Sequence, residues 1–282
     1  MRFDQVLLSG ASTIKLFDLR NPRSTPYTAR TIDGLGPTEV DVTLAQTSQG
    51  AGIYIGRREQ LREITVNAYL NPNYLQGESP DQLREDIYLL RPVKEDLSLD
   101  FRLMFEGVEV ASTPVYIKRV DVSPFSKDTT LQIVLASTSG YFHMESGIEL
   151  TDPPLSTTTP VFVNEGTSTT GFKLTVQFSD TVDAFGLSMS SPSSKLLLKK
   201  LPLDAALFLG GDIVEIDTTI GSRGIWFTRG NVRQSALAAL SEDSTWLSLY
   251  PGENYLTVIQ DPVAPPKVVW KKLSHTPKYL GV

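Results

Sequence analysis

The chain has 282 residues, a length that corresponds to about two domains, and it contains no cysteine. The lack of cysteine excludes disulfides, thiolate nucleophiles and cysteine-based zinc sites, and two histidines, His143 and His275, are too few for a histidine-rich metal site. A formal net charge of −6 argues against a protein that binds nucleic-acid phosphates.

The N-terminal stretch MRFDQVLLSGAS places Asp4, Gln5 and Ser9 among its apolar residues. These polar residues interrupt the apolar segment that a secretory signal peptide needs. No apolar run in the sequence approaches the ~18 residues of a membrane-spanning helix. We therefore expect a soluble protein that neither uses that export route nor inserts into a membrane.

Alternation of apolar and polar residues predicts strands in the first half of the chain. The segments REITVNAYL (62–70) and LSLDFRLMF (97–105) alternate throughout, which is typical of half-buried strands. EVDVTLAQ (39–46) and TLQIVLAS (130–137) show the same pattern more weakly. Proline and glycine clusters separate the runs at short spacing, as in antiparallel sheets.

One helix is predicted between these strands, in GESPDQLREDIYLLRP (77–92). Ser79 is placed as the N-cap residue, Pro80 follows at the first helical position, and Gln82 completes a capping box. Apolar residues then recur at helical spacing up to Pro92, which ends the segment. An amphipathic helix of this kind is expected to cover one face of a sheet.

The composition changes between residues 140 and 160, where GYFHMESG is followed by the Pro- and Thr-rich LTDPPLSTTTP. We interpret this change as the junction of two β-rich domains, 1–145 and 146–260. The second domain carries the alternating strand KLTVQFSD (173–180) and a possible short helix in RQSALAALSED (233–243). The Pro- and Lys-rich residues 261–282 are predicted to form an extended arm outside any core.

The segment GDIVEIDTTIGSRGIWFTRGN (211–231) contains an Asp-Thr pair after an apolar run, as aspartic proteases do. Here Asp217 is followed by Thr-Thr and not Thr-Gly, and the chain has no second such motif with which to share a proton. We interpret the segment as a β-hairpin whose turn is supplied by Gly221, Ser222, Arg223 and Gly224.

Other enzyme motifs are missing. The sequence has no P-loop, no dinucleotide-binding glycine motif and no nucleophile-elbow motif, and neither histidine has the local context of a general base. Acidic residues are scattered over outward strand positions, so a glycosidase pair is disfavoured. We expect no catalytic residue, no cofactor and no metal.

Two groups of residues suggest binding. Trp226 could offer a flat stacking surface to a sugar, although a tryptophan in a β-sandwich more often lies in the core or at an interface. Arg57, Arg58 and Arg62 form a small basic cluster that could bind phosphate or nucleic acid. Pairing with carboxylates of a neighbouring subunit is the favoured interpretation of that cluster.

The order of these segments resembles the distal tail protein (Dit) family of siphophage tail tips. An I-D-G-L strand and a glycine-containing loop lead into arginines and an R-x-I-T strand within residues 31–70. The capped helix and the strand LSLDFRLMF follow in the family's order. Near the end, GDIVEIDTTIGSRGIWF precedes a P-G-x-N turn and a last strand, and the resemblance spans most of residues 30–260.

The resemblance implies a mainly β fold: an N-terminal tail-tube-like β-sandwich with one helix, and a C-terminal galectin-like β-sandwich. It implies a homo-hexameric ring in the virion tail tip, assembled in the host cytoplasm. This non-enzymatic hub would join the tail tube protein to tail-tip proteins and to a receptor-binding protein or fibre, and DNA would pass through its lumen without specific binding. Ile53, Tyr54, Ile55, Arg57, Arg58 and Arg62 are then expected at the subunit interface.

A carbohydrate-binding β-sandwich module for host-surface recognition is the alternative function. It would place Trp226 in contact with a glycan or a partner. The family's members with inserted carbohydrate-binding modules are longer than this chain, so sugar binding is not implied by the resemblance.

Overall fold

The computed structural model describes residues 2–10, 12–22, 25–46, 52–90, 98–123, 129–144, 147–151, 161–190, 193–198, 208–261 and 267–282. The fold is mainly β, as predicted. The chain forms two compact units, which we call unit 1 (Met1–Glu145 with Tyr279–Val282) and unit 2 (Ser146–Lys278). The chain therefore leaves unit 1, forms unit 2 and returns to unit 1.

Unit 1 is built on a nine-stranded antiparallel sheet. Its main path runs in the order β2-β1-β7-β8-β9-β6-β3, and β10 pairs with β8 and with β21. Strands β2 and β3, which lie at opposite ends of this order, are in contact, so the sheet is curled. Its strands are β1 (Gln5–Ser9), β2 (Thr13–Asp18), β3 (Tyr27–Asp33), β6 (Arg62–Leu70), β7 (Leu99–Phe105), β8 (Val108–Val122), β9 (Thr130–Ser137), β10 (Phe142–His143) and β21 (Lys278–Tyr279).

Period-two alternation explains the core of unit 1. In β6 every second residue from Arg62 to Leu70 is buried, and the residues between them are half-buried or exposed. Strand β7 repeats this pattern with Leu99, Phe101 and Leu103. The apolar faces of the curled sheet enclose one core, and helix α1 (Pro80–Leu89) contributes Leu83 and Ile87 to it.

The helix begins at the predicted capping box. The Ser79 hydroxyl accepts a hydrogen bond from the Gln82 N–H, and the Gln82 side chain accepts one from the Ser79 N–H, both at 3.2 Å. The Tyr27 hydroxyl donates to the Leu83 carbonyl at 2.7 Å, which ties the helix to β3. A short 3-10 turn, Tyr74–Gln76, precedes the helix.

Unit 2 is a sandwich of two antiparallel sheets. One has six strands in the order β11-β20-β13-β16-β17-β18, and the other has four in the order β12-β19-β14-β15. The strands are β11 (Ile148–Thr151), β12 (Val161–Asn164), β13 (Phe172–Phe178), β14 (Ala184–Ser190), β15 (Ser193–Leu198), β16 (Ile213–Asp217), β17 (Gly224–Arg229), β18 (Val232–Ser235), β19 (Gly252–Asp261) and β20 (Val268–His275).

Aromatic side chains fill the space between the two sheets. Phe178 stacks on Phe208 with ring centroids 4.6 Å apart, and Phe185 meets Phe178 edge-on at 5.3 Å. The P-G-x-N turn closes one end of the sandwich, because the buried Asn254 side chain accepts from the Tyr250 N–H and donates to the Tyr250 carbonyl, both at 2.8 Å. All described residues of this core belong to unit 2.

Two sequence-based predictions are wrong in unit 2. RQSALAALSED is not an α-helix, since Val232–Ser235 pairs with β17 and Leu237–Ala239 is a single 3-10 turn. Ladder bonds to β17 and the burial of Ala236 and Ala239 outweigh the local helix propensity of the alanines.

The expected extended arm at 261–282 is also wrong. Strand β20 lies between β11 and β13 in the six-stranded sheet, with Trp270 and Leu273 fully in the core. Its lysines occupy the outward positions, and the Lys272 ammonium pairs with Glu149 on β11 at 2.7 Å. The lysines of β20 therefore lie on the solvent-exposed face of this strand.

Candidate subunit interface

Strands β4 (Val40–Gln46) and β5 (Gly52–Glu59) form a two-stranded sheet separate from the nine-stranded sheet of unit 1. We call this pair the β4–β5 ribbon. The strands are antiparallel, with Val42 opposite Arg57 and Leu44 opposite Tyr54, and Ile55 is the extra residue of a β-bulge. A ribbon of two strands is at best marginally stable in water without a surface to pack on.

Strand β4 places exposed apolar side chains on one face of the ribbon. Val40, Val42 and Leu44 alternate along β4, so they lie on one face, and they are 42%, 56% and 61% exposed. Ile55 and Leu61 are 64% and 71% exposed. Contiguous apolar side chains that are exposed on a soluble chain indicate an interaction surface, because a partner that covers them removes them from water.

The structure places the predicted interface residues Ile53, Tyr54, Ile55, Arg57 and Arg58 all on strand β5. The Ile55 side chain is exposed. The side chains of the other four lie outside the described residues. All five residues therefore lie on the ribbon, and their contact with a neighbouring subunit stays a prediction.

Both ends of the ribbon are fastened at its base. The Gln60 N–H donates to the Glu39 carbonyl at 3.0 Å, and the Gln60 side-chain amide donates to the Asp41 carboxylate at 3.1 Å. A partly open cleft of about 380 Å³ lies here and is lined by the segments on either side of the ribbon, residues 34–39 and 60–63.

Arg62, which follows the ribbon, is 2% exposed. Its Nη1 donates to the carbonyls of Gly34 at 2.6 Å and Gly36 at 2.7 Å. Its Nη2 donates to Gly140 at 2.9 Å and Leu280 at 2.5 Å. We call these five residues the Arg62 cluster. The guanidinium also lies 4.5 Å from the centre of the Phe142 ring, a cation–π contact.

Arg62 was expected to pair with carboxylates of another subunit. Its partners are instead backbone carbonyls of its own chain. Within the described part of the chain no carboxylate pairs with it, and burial lowers its pKa from the ordinary arginine value. A guanidinium remains protonated at neutral pH even so. The sequence did carry a signal of this burial, because Arg62 has the same parity as Ile64 and Val66 on the inward face of β6.

The other sequence candidates are Asp217 and His143. Asp217 ends β16 at a hairpin turn, as interpreted, and its carboxylate accepts from the Thr219 N–H at 2.9 Å and the Ser222 hydroxyl at 3.1 Å. Nε2 of His143 lies 3.0 Å from the Ser139 hydroxyl. Across the described residues, no group of three or more His, Cys, Asp or Glu is placed to hold a metal ion. No described helix is long and apolar enough to span a membrane.

Trp226 lies on the outer face of β17 in unit 2, half-buried. The central carbon of the Arg233 guanidinium lies 4.7 Å from the centre of the Trp226 ring. The same guanidinium donates a hydrogen bond to the Glu215 carboxylate at 2.7 Å. The indole also covers Gly224, where an added Cβ would lie 2.4 Å from it. Arginine and backbone therefore already contact this ring, and glycan binding at Trp226 stays a prediction.

The chain matches one family model and several solved structures, and it matches no curated protein. Residues 165–273, all within unit 2, match the family model of the siphovirus-type tail component, C-terminal domain. The crystal structure of SPP1 Dit, described as a paradigm of the hub adsorption apparatus in phages that infect Gram-positive bacteria, is 13% identical. It superposes with a TM-score of 0.62 over 97% of this chain and 98% of that chain.

Two structures of the phage p2 baseplate in its activated conformation, with Ca and with Sr, match more distantly. They are 9% and 10% identical, with TM-scores of 0.45 and 0.43. They cover 99% and 97% of this chain, and the same shares of their own chains.

The family model covers the greater part of unit 2, and the SPP1 Dit fold spans both units. The resemblance drawn from the order of the sequence segments agrees with both findings: residues 165–273 match a siphovirus tail component C-terminal domain, and the chain as a whole has the fold of SPP1 Dit.

Proposed function

We propose that this chain is the structural hub of a siphophage tail tip, where six copies close into a ring between the tail tube and the tip proteins. The observation that carries the proposal is the β4–β5 ribbon, whose apolar face is exposed in the single chain. A second copy of the chain is the partner that we assign to this face. The ribbon then packs on the neighbouring unit 1 and gains the surface that two strands need.

The fold and the family model support a role in the tail. SPP1 Dit is described as a hub of an adsorption apparatus, and the matched family is a siphovirus tail component. A hub has to hold copies of itself and other proteins, and this requires surfaces rather than a catalytic site. We accordingly infer a non-enzymatic protein located in the virion tail.

In this proposal the two units have separate tasks. Unit 1 closes the ring, through which DNA passes without specific binding, and unit 2 presents docking surface to tip and receptor-binding proteins. Unit 2 has a complete core of its own, so it can carry partners without taking part in ring closure. Arg57 and Arg58 belong to strand β5 of the ribbon, and we expect them to pair with carboxylates of the neighbouring copy.

The oligomeric state tests this proposal. Sedimentation velocity of the wild-type chain at increasing concentration is expected to show a species with six times the mass of one chain. The double variant Val42→Glu/Leu44→Glu places two charges on the apolar face of the ribbon and is expected to stay monomeric and folded. Val232→Glu is the matched control, since Val232 is an exposed strand valine of unit 2 at 58% exposure.

Tail assembly provides a second measurement, in case the ring closes only on its partners. The wild-type chain and Val232→Glu should support assembly of complete tails in a complementation assay, and the double variant should not. A monomeric wild-type chain, together with a double variant that supports assembly as well as the wild type, would overturn the proposal.

A further inference from the structure

We infer that the Arg62 cluster makes the C-terminal segment Tyr279–Val282 a brace for the base of the β4–β5 ribbon. The segment follows unit 2 in the chain, yet it belongs to unit 1. Through it, the chain end of unit 2 is tied to the element to which we assign ring closure. The consequence for the ring rests on the proposed function, whereas the brace itself does not.

Three separate parts of the chain meet at one side chain. Gly34 and Gly36 lie just before the ribbon, Gly140 lies just before β10, and Leu280 lies in the C-terminal segment. All four accept hydrogen bonds from the two terminal nitrogens of Arg62, which itself lies just after the ribbon. One guanidinium therefore joins both ends of the ribbon to the C-terminal segment.

The backbone of the C-terminal segment also contacts the base of the ribbon directly. The Val282 N–H donates to the Leu35 carbonyl at 3.0 Å. A Cβ at Gly281 would lie 2.8 Å from backbone atoms of Gly36 and Pro37, so only glycine allows this approach. The segment thus packs against the residues that lead into β4.

Gly34 shows how tightly the base of the ribbon is constrained. It has a φ of +88°, and an added Cβ would lie 2.0 Å from the Glu63 carbonyl oxygen, the residue after Arg62. The segment leading into the ribbon and the segment leaving it are consequently in contact. The Arg62 cluster fixes this contact on one side, and the direction of the ribbon depends on it.

Arginine is required at this position by geometry. Its two terminal nitrogens carry four N–H groups in one rigid plane, one for each of the four carbonyls. Lysine has three donors on a single nitrogen and cannot reach acceptors spread in this way. Within the described chain the charge has no carboxylate partner, so the carbonyl dipoles and the face of the Phe142 ring compensate it.

The absence of cysteine in the chain allows clean double labelling. Spin labels at Leu44→Cys on the ribbon and Glu85→Cys on α1 report the distance between the ribbon and the body of unit 1 by double electron–electron resonance. Labelled chain is diluted with unlabelled chain, so that distances between subunits do not contribute. A second pair, Lys15→Cys and Glu85→Cys, reports the body of unit 1 alone.

The distance distribution of the ribbon pair is expected to broaden about twofold in Arg62→Lys and in a chain that lacks Tyr279–Val282, because the base of the ribbon opens locally. The two changes combined should broaden it no more than either one, since both remove the same brace. Gly281→Ala should give the same effect without loss of any side-chain donor. Arg119→Lys, an exposed arginine on β8, is the matched control and should leave both distributions unchanged.

The inference is overturned if the ribbon pair keeps its width in Arg62→Lys or in the shortened chain, or if their effects add. It is also overturned if the body pair broadens equally, because Arg62 would then only stabilise unit 1 in general. Ring formation is measured separately on the same variants. Broadening in the labelled variants, together with an unlabelled wild-type chain that forms no ring, would support the brace and contradict the proposed function.

Discussion

The β4–β5 ribbon and the β16–β17 hairpin have similar sequence patterns, but their apolar side chains differ in burial. Their first strands, β4 and β16, both alternate apolar and polar residues. In β16–β17 the apolar residues Val214 and Phe227 are fully buried, whereas Val42 and Leu44 on the ribbon are mostly exposed. The hairpin joins a sheet that faces a second sheet, and the ribbon joins none. Among the described residues the ribbon thus lacks the facing layer that covers the hairpin, and this difference is the basis for assigning it a second copy of the chain as partner.

The two regions also use their charged residues differently. In unit 2 the buried Asp212 carboxylate binds Arg229 with Nη2 at 2.7 Å, and this hydrogen bond raises the pKa of the arginine. In unit 1 the buried Arg62 donates its hydrogen bonds to backbone carbonyls and lies over the Phe142 ring, and burial lowers its pKa. An ion pair closes the hairpin of unit 2, while Arg62 connects several parts of the chain. The first stabilises one element, and the second positions elements relative to each other.

The largest expected effect contrasts the inner and outer faces of β17. Phe227→Ala removes a buried ring from the sandwich and is expected to lower the free energy of unfolding of unit 2 by about 3–5 kcal/mol. Trp226→Ala on the outer face loses mainly the contact with Arg233, about 1 kcal/mol. Urea unfolding followed by tryptophan fluorescence measures both, since all three tryptophans lie in unit 2.

Equal effects of these two substitutions would contradict the division of β17 into a core face and a wet face. The Trp226→Ala variant also serves on a glycan array. Glycan binding by the wild type that is lost in this variant would favour the carbohydrate-binding alternative over the hub.

A matched pair of valines tests the comparison of the two regions directly. Val214→Ala is expected to cost unit 2 about 2 kcal/mol of unfolding free energy, because it empties a packed core position. Val42→Ala is expected to change the unfolding of a monomeric chain by less than about 0.5 kcal/mol, because the side chain is exposed. Circular dichroism of unfolding at low protein concentration measures both, and sedimentation shows weaker association only for Val42→Ala.

A folding cost at Val42 comparable to that at Val214 would mean that the ribbon packs on its own chain. The exposed face would then be unavailable to a second copy, and the comparison of the two regions would fail.

The smallest effect concerns the acid stability of the β16–β17 turn. Burial by itself raises the pKa of Asp217, but hydrogen bonds from the Thr219 N–H and side chain, Lys173 and Ser222 outweigh it, and the pKa is lowered from 3.8. A carboxyl group whose pKa is lowered by folding stabilises the fold above its unfolded pKa. This contribution is lost as the pH falls through the lowered value.

Fluorescence-monitored unfolding of unit 2 between neutral pH and pH values below 3.8 measures this loss. Asp217→Asn is expected to cost about 1 kcal/mol at neutral pH, because charge-assisted hydrogen bonds become neutral ones. It should also flatten the acid dependence. An unchanged slope in the variant would show that the acid sensitivity of unit 2 arises elsewhere.

Much of the fold could be read from local signals. The capping box at Ser79 and Gln82 gave the start of α1, and period-two alternation gave β6, β7 and β13, because both depend on neighbours in the sequence. The predictions of a helix at 233–243 and of an extended segment at 261–282 were wrong. Ladder bonds to β17 and the place of β20 between two other strands are contacts over long sequence distance.

The amino-acid sequence alone determined the mainly β class, the capped helix, the hairpin turn at Asp217 and the lack of cysteine chemistry, since each follows from residue types at short spacing. Only the tertiary structure decided which alternating strands are buried, because burial depends on what faces them. It also decided that Arg62 points inward to Leu280, more than two hundred residues away along the chain. No local pattern encodes a partner that folding alone brings into contact.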